Sequence, residues 1–364
     1  MEFDIEDEEL KEKRKKKQKK NNMTLYLAIM FFVLAIILII VYFATMKKVP
    51  TTPSAPVPIN TIPKEETKEV SIIDENSNER PLAIMIDTNI GNAKHAGLQD
   101  SYINYEMIVE GGLTRIMAIY KDKQVGIVGP VRSARHYFLD YALEHDAVYA
   151  HFGWSPYAEQ NIKSLNVKNI NGMTDTEPFM RDRELPSPHN VFTSTMKLRN
   201  YLENKKYDST SISWKVFNYS AKEINLNDFE NTTSLKAATK VSMTYSYAEN
   251  RSYSYDSVNK YYLRSKNGSA HIDRKTNEQL HYKNIIIMKV ENKTIDSAGR
   301  QDLTTTGIGE GYYITNGYSL PIRWSKTSRT AKTVLTYLDG TEVIFNDGNT
   351  FIQIVPTNSE IVIE

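Results

Sequence analysis

The sequence predicts an α+β fold that follows a single transmembrane helix, with an N-terminal three-layer α/β domain and then a mostly β C-terminal domain. Three observations support this architecture. Residues 23–46 form an uncharged apolar run, residues 71–205 alternate strand-like and helix-like segments, and residues 241–364 consist of short β-branched and aromatic segments. Residues 206–240, which are rich in Ser and Asn, are predicted to be the linker region between the two domains.

The apolar run over residues 23–46 contains no charged side chain. A helix of this length rises roughly 36 Å at about 1.5 Å per residue, which is enough to cross a hydrocarbon core of about 30 Å. A cleaved signal peptide is the alternative, but its apolar core would be shorter and a small-residue cleavage site would follow. Because Phe43-Ala44-Thr45-Met46 fits such a site poorly, we predict an uncleaved membrane anchor.

The charges that flank this run predict its orientation. Residues 1–22 form a charged tail with eight Lys or Arg, whereas only Lys47 and Lys48 follow the run closely. The positive-inside rule therefore places the N-terminus in the cytoplasm and the remainder outside the cell, as a single-pass cell-membrane protein. The basic part of the tail suits anionic lipid headgroups, so the membrane itself is a predicted partner.

The composition predicts a stalk and excludes a disulfide framework, a lipid anchor and a nucleic-acid partner. Residues 47–70 contain five prolines and few large apolar side chains, so they are predicted to form an extended stalk. The sequence has no cysteine, which rules out a disulfide framework and leaves no thiol for a lipid anchor. The net charge is only +1, from 45 Lys or Arg and 44 Asp or Glu. A nucleic-acid partner would require a strong basic surplus, so we expect none.

The predicted N-terminal domain is defined by its strand and helix patterns. Residues 81–87 form a continuous apolar run that is typical of a strand buried on both faces, and residues 105–109 and 115–120 predict two further strands. After a break at Gly129-Pro130, apolar spacing predicts a helix over residues 132–149. A second helix is predicted over residues 155–165, with Pro156 in its first turn.

The second half of the chain has a different pattern of segments, which are short and strand-like. Its short segments are separated by turn dipeptides such as Asn267-Gly268 and Asp339-Gly340, which are good hairpin signals. Residues 307–311 contain three alternate glycines that resemble a dinucleotide-binding loop. No long apolar strand precedes them, so we predict a β-turn region there.

Candidate site residues are concentrated between residues 87 and 135. Arg132, Ser133 and Arg135 follow the Gly129-Pro130 turn, and Arg115 opens a predicted strand. The planar guanidinium group suits phosphate or carboxylate, and a helix that began at Arg132 would add its free N–H groups. These four residues are our hypothetical anion-binding site.

Three acidic residues accompany the arginines. Asp87, Glu106 and Glu110 are candidates for acid–base catalysis or metal ligation; alternatively, they pair with the arginines and only hold loops in place. The sequence does not decide between these roles. It has no Gly-x-Ser-x-Gly elbow beside Ser133, and its histidine spacings match no metal-ligand signature. Whether the protein is an enzyme is therefore left open, and no cofactor or metal is predicted.

Long stretches of the chain resemble the YerB family of bacterial surface proteins. The resemblance rests on residues 80–120, on the run IVGPVRSARHYFLDYALEHDAVYAHFGWSP and on TGIGEGYYITNGYSLPIRW, and it covers about residues 80–356. It implies an N-terminal α/β domain, a C-terminal domain and a cell-surface location, but no particular reaction. Family members are mostly described as lipoproteins, whereas this chain is predicted to replace the lipid-bearing cysteine with a transmembrane helix.

A more distant resemblance is to the LytR-CpsA-Psr wall-polymer ligases. It rests on the order of predicted elements and on Arg115, Arg132 and Arg135, and it implies a pyrophosphate held by arginines. Three hypotheses follow. The first is a binding or interaction module that works with a membrane-anchored cell-wall synthesis protein; the others are an enzyme acting on phosphate-linked lipid or wall glycan, and a non-catalytic binder of wall polymer.

Overall fold

A computed structural model describes residues 30–38, 69–229 and 233–364. Residues 30–38 form a helix, α1, with exposed side chains, inside the predicted transmembrane run. The tail over 1–22, the rest of the run over 23–46 and the stalk up to residue 68 lie outside the described residues. Among the residues that are described, no helix is both long and apolar enough to cross a membrane. Residues 66–364 form one compact unit, to which the following description applies.

This unit is mostly sheet with a few short helices. The α-helices are α2 (Phe138–Glu144), α3 (Pro156–Ser164) and α4 (Thr195–Asn204), and single 3-10 turns cover Leu98–Asp100, Glu110–Gly112 and Leu226–Asp228. The strands before residue 210 are β1 (Leu82–Asp87), β2 (Ile103–Ile108), β3 (Thr114–Tyr120), β4 (Val148–His151), β5 (Asn169–Asn171), β6 (Met180–Arg181) and β7 (Val191–Phe192).

The strands after residue 210 are more numerous. They are β8 (Tyr219–Ser220), β9 (Lys236–Ala237), β10 (Lys240–Ser246), β11 (Glu249–Asp256), β12 (Tyr261–Lys266), β13 (Ser269–Ala270), β14 (His281–Tyr282), β15 (Asn284–Val290), β16 (Asn292–Thr294), β17 (Gln301–Leu303), β18 (Gly307–Thr315), β19 (Tyr318–Lys326), β20 (Val334–Tyr337), β21 (Phe345–Asn346), β22 (Thr350–Pro356) and β23 (Ile361–Ile363). The described residues therefore confirm a mixed α/β fold, while the three-layer arrangement stays a prediction.

One large sheet runs through both halves of the chain. Its strand order is β20-β19-β18-β15-β22-β2-β3-β1-β4-β5, and β9 adds to β19. The halves meet where β2 pairs in parallel with β22, with Ile103 opposite Thr350 and Met107 opposite Ile354. Strands β1, β2, β3 and β22 are buried along their whole length, so the centre of the sheet is also the centre of the core.

A second, smaller sheet is built from the C-terminal half alone. Its strand order is β13-β12-β11-β10-β23, and β14 pairs with β12. Buried and more exposed residues alternate along β10 and β12, as expected for a sheet with one face on the core. Its buried face carries the arginine partners of Glu106 described below.

The two domains predicted from the sequence contribute strands to the same sheet. The sequence texture does change between residues 205 and 241, but strand pairing crosses that boundary. The predicted linker is also structured in part, since β8 pairs with β21 and β9 pairs with β19. Local composition cannot reveal such long-range pairing, because strand order depends on contacts between residues that are distant in the chain.

The three strands predicted in the first half are confirmed, as is the helix that starts at Pro156. The Ser155 hydroxyl caps this helix by accepting a hydrogen bond from the Ala158 amide at 3.2 Å. The helix predicted over residues 132–149 is wrong for most of its length. Residues around Arg132 are held in extended backbone because the Arg132 amide donates to the Met85 carbonyl, and the helix begins only at Phe138.

The β-turn predicted at Gly307, Gly309 and Gly311 is also wrong, because all three lie in β18. A Cβ atom at Gly311 would collide with the Ile287 carbonyl, and one at Gly309 would collide with the Trp324 ring. These two glycines therefore allow a close approach to neighbouring groups within a strand.

Candidate functional site

The structure separates Glu106 from the other predicted site residues. Glu106 lies on β2 and is fully buried. Its Oε1 accepts hydrogen bonds from Thr114 Oγ1 and Arg251 Nε, each at 2.7 Å, and its Oε2 accepts from Arg264 Nη2 at 2.7 Å. Burial acts to raise the pKa of Glu106, but Arg251 and Arg264 outweigh it and lower this pKa to about 2. Glu106 is thus a charged, fully buried residue between the two sheets.

Two histidines extend this buried group, which we call the inter-sheet cluster (Glu106, Arg251, Arg264, His271 and His95). The Arg264 guanidinium can only donate, so His271 Nδ1 accepts from it. His271 Nε2 then donates to His95 Nδ1 at 2.9 Å, and His95 Nε2 donates to the Asp87 carbonyl at 2.6 Å. Burial lowers the pKa of His95 to about 4, which favours the neutral form that this chain of hydrogen bonds requires.

Asp87 ends strand β1, and its carboxylate is almost fully buried. Its Oδ2 lies 2.5 Å from His189 Nδ1 and 3.1 Å from Arg132 Nε. His189 comes from the loop between β6 and β7, more than 100 positions further along the chain. No local pattern marks His189, so sequence reasoning missed it.

Arg135 and Glu110 form a bidentate pair. Arg135 Nε donates to Glu110 Oε1 at 2.6 Å, and its Nη2 donates to Glu110 Oε2 at 2.7 Å. The remaining Nη1 donates to the Ala134 carbonyl at 2.7 Å. Burial acts to raise the pKa of Glu110, but the hydrogen bonds from Arg135 outweigh it and lower the pKa. Every nitrogen of this guanidinium therefore already has an internal partner.

Arg115 is also used internally. It lies on β3 directly opposite Asp87 of β1, and its Nη1 donates to the Ser133 carbonyl at 2.6 Å. Burial lowers the pKa of Arg115 to about 10. The Ser133 hydroxyl in turn donates to the Phe152 carbonyl at 3.0 Å. These contacts tie the loop that follows Pro130 to the sheet.

The structure therefore gives the four predicted anion-binding residues different surroundings. Arg115 and Arg135 contact internal partners in the loop, and they do not open a helix. Arg132 and Ser133 line an open cleft.

This cleft has a volume of about 600 Å³. We call it the arginine cleft, and it is lined by Val131, Arg132, Ser133, Phe152, Gly153, Trp154, Asn171, Met173, Thr174, Arg181, Ser187, Pro188 and Val191. The lining includes two arginines and no Asp or Glu. Its volume lies in the range of about 300 to 1,000 Å³ that is usual for small-molecule sites.

The two arginines of the cleft differ from Arg115 and Arg135 in their partners. Arg181 lies over the Phe152 ring at 5.3 Å and donates to the Asn190 side-chain oxygen at 2.8 Å. It makes no salt bridge within the described part of the chain. Arg132 is near Asp87, but its Nε lacks an aligned hydrogen bond among the described residues. Both guanidinium groups therefore keep donors that internal carboxylates do not use.

Asn171 contributes a further polar group to the lining. It is 4% exposed, and its side-chain oxygen accepts hydrogen bonds from the Gly153 amide at 3.0 Å and the Met173 amide at 3.1 Å. Its NH₂ group has no partner among residues 69–229 and 233–364. Asn171 and Arg181 were missed from sequence because neither lies in a recognisable motif.

Comparisons with known proteins agree with this fold. Residues 67–208 match the family model described as the N-terminal domain of a protein of unknown function (DUF3048), and residues 241–352 match the model for its C-terminal domain. The chain is 29% identical to a Bacillus subtilis (strain 168) protein named "Putative lipoprotein YerB", over 76% of this chain and 81% of that protein.

A solved structure is also similar. It is the crystal structure of the YerB protein from Bacillus subtilis, with a TM-score of 0.67 and 28% identity over 78% of this chain and 94% of the other. Together the two family models span most of residues 67–352 in the order that the family has. The chain therefore belongs to the YerB-like DUF3048 family.

Proposed function

We propose that this protein is a membrane-anchored, extracytoplasmic module of the bacterial cell envelope that binds an anionic ligand in the arginine cleft. In this role it would work alongside cell-wall assembly proteins. The observation that carries the proposal is the lining of the cleft, which has Arg132 and Arg181 but no carboxylate. Guanidinium groups recognise phosphate and carboxylate through paired hydrogen bonds.

The surroundings of the cleft support recognition of an external anion. A guanidinium group that already has a bidentate carboxylate, such as Arg135, has little left to offer a ligand. Arg132 instead shares the Asp87 oxygen with His189, and Arg181 is oriented by an aromatic ring and a neutral amide. An incoming anion would therefore find donors that are positioned in advance, which lowers the entropic cost of binding.

The location of the module is part of the proposal. The uncharged run over residues 23–46 and the basic tail before it favour a single-pass anchor with the folded unit outside the cell. The similarity to a protein named as a lipoprotein also favours the cell surface. Protease added to intact, wall-stripped cells should leave only a short, membrane-protected N-terminal fragment. Full protection of the chain would contradict this orientation.

Calorimetric titration with inorganic pyrophosphate tests the cleft. The full-length protein in detergent should bind pyrophosphate, and Arg132→Gln or Arg181→Gln should weaken binding by about tenfold or more, since a hydrogen bond to a charged group contributes about 1.5–3 kcal/mol. Arg323→Gln is the matched control, because Arg323 is exposed on β19 and does not line the cleft. Absence of binding by the parent protein would favour a role in contacting a protein partner.

A further inference from the structure

The size of the arginine cleft indicates a ligand larger than an inorganic ion. A volume of about 600 Å³ would hold roughly twenty water molecules at about 30 Å³ each. A phosphate group held between guanidinium donors fills only a small part of that space. A ligand that filled the cleft would therefore contact the rest of the lining with another of its parts.

The two aromatic residues of the lining have different environments. The Phe152 ring already has two partners within the protein, since the Arg181 guanidinium lies over it and the Phe179 ring packs edge-on at 5.9 Å. Trp154 is partly exposed, and the only ring packed near it among the described residues is His151, at 5.7 Å. Phe152 thus positions a cation, whereas Trp154 offers an aromatic surface to the cleft.

Neutral hydrogen-bonding groups complete the lining. The unpartnered NH₂ group of Asn171 is a donor, and the hydroxyls of Thr174 and Ser187 are exposed enough to exchange partners. Hydroxyl and amide groups suit a ligand that carries many hydroxyls. The apolar C–H face of a sugar ring suits the negatively polarised face of an indole.

We infer that the arginine cleft takes a sugar phosphate, with the phosphate on Arg132 and Arg181 and the sugar ring on Trp154. This inference rests on the proposed function and makes its ligand more specific. A plain anion would leave the partly exposed Trp154 ring without a contact, and a neutral sugar would leave Arg181 without a counter-charge and Arg132 sharing Asp87 with His189.

Tryptophan fluorescence offers a direct experiment, because the chain has three tryptophans and the other two, Trp214 and Trp324, are 4% and 3% exposed. The full-length protein, in a detergent without a sugar head group, is titrated with glucose 1-phosphate, inorganic phosphate and free glucose. Glucose 1-phosphate should change the emission and bind about tenfold more tightly than phosphate, and free glucose should bind weakest.

Two variants, measured by calorimetry, identify the ring contact. Trp154→Leu should remove the preference for glucose 1-phosphate over phosphate. Trp154→Phe keeps an aromatic ring and should retain the preference. Tyr247→Leu is the control, since Tyr247 is 99% exposed and lies outside the cleft.

The outcomes separate the inference from the proposed function. Equal affinity for phosphate and glucose 1-phosphate, with both lost in Arg132→Gln, would overturn the sugar inference and leave the anion site standing. A preference that survives in Trp154→Leu would also overturn it. Absence of binding for all three probes would overturn both the inference and the proposed function.

Discussion

The inter-sheet cluster and the arginine cleft both contain arginines near acidic residues, but they use them in opposite ways. In the cluster, Arg251 and Arg264 are fully buried, and each donates to a different carboxylate oxygen of Glu106. In the cleft, Arg132 and Arg181 line a wall without a carboxylate. The arginines of the cluster stabilise the fold, whereas those of the cleft are available to bind a ligand.

This difference shows that residue type alone does not identify a binding arginine. A buried ion pair becomes costly when one partner is removed, because the other charge stays buried without compensation. Arg181, which makes no salt bridge among the described residues, can be neutralised with little effect on the fold. Stability and binding measurements on the same variants therefore distinguish the two regions.

The largest effect should come from dividing the chain between the halves. A fragment of residues 71–205 contains Glu106 without Arg251 and Arg264, and its strand β2 lacks its neighbour β22. We expect this fragment to show no cooperative thermal transition by circular dichroism, whereas residues 66–364 should melt cooperatively. A cooperative melt of the short fragment would mean that the cluster and the shared sheet are dispensable for folding.

Removing the central charge of the cluster should have the next largest effect. Glu106→Gln leaves Arg264 buried without a carboxylate, so we expect the free energy of unfolding to fall by about 3–5 kcal/mol. Urea denaturation measures this change. The matched control is Glu159→Gln, which breaks an exposed pair with Lys163 and should cost at most about 0.5 kcal/mol. Similar losses in the two variants would contradict the structural role of Glu106.

The cluster should also make stability depend on pH. Burial lowers the pKa of His95 to about 4 from 6.5, so between these values the unfolded chain binds a proton that the folded chain does not. Stability is therefore complete above pH 6.5 and falls as the pH drops toward 4, by roughly 3 kcal/mol from this residue.

Urea denaturation at a series of pH values measures this slope. Burial also lowers the pKa of His145, to about 3, so both histidines act in the same direction. Below pH 4.5 the stability falls further, down to about pH 2, because the pKa of Glu106 is lowered in the folded chain. His95→Gln should make the slope between pH 6.5 and 4 shallower by the contribution of this one residue, and a parent protein whose stability is constant over that range would argue against neutral buried histidines.

The variants Arg135→Ala and Arg132→Ala should show smaller effects. The first should mainly lower stability, and the second should mainly weaken pyrophosphate binding. Arg135→Ala removes the bidentate partner of Glu110 and should lower stability by about 1–3 kcal/mol while pyrophosphate binding persists. Arg132→Ala should lose binding, and it should change stability less because His189 remains beside the Asp87 carboxylate. Melting temperature and calorimetric titration together measure both properties, and a reversed pattern would exchange the roles of these two arginines.

Much of the fold could be predicted from local sequence, and the failures have physical causes. The strand at Leu82–Asp87 has a continuous apolar run, and the helix at Pro156 has a serine cap, so both carry a local signal. The loop at Arg132 has helical spacing in sequence, but hydrogen bonds to Met85 hold it extended. Pairing between β2 and β22 joins residues about 250 positions apart, which no local pattern encodes.

The candidate site was only partly predictable for the same reason. Arg132 and Ser133 were found because they cluster in sequence with other arginines, yet that clustering also drew in Arg115 and Arg135, which are internal. Arg181 and Asn171 reach the cleft from separate segments. Which arginines are neutralised depends on acids such as Glu110, whose pairing only the folded chain shows.

Anomalous diffraction from a crystal of residues 66–364 soaked in tungstate tests the central claim most directly. Tungstate is a tetrahedral oxyanion, like phosphate, whose metal atom marks its position without ambiguity. We expect one strong peak within hydrogen-bond distance of Arg132 and Arg181, and none beside Arg135 or Arg264. A peak at the Arg135–Glu110 pair, or an empty arginine cleft in a crystal that binds tungstate elsewhere, would contradict the division between fold-holding and ligand-binding arginines.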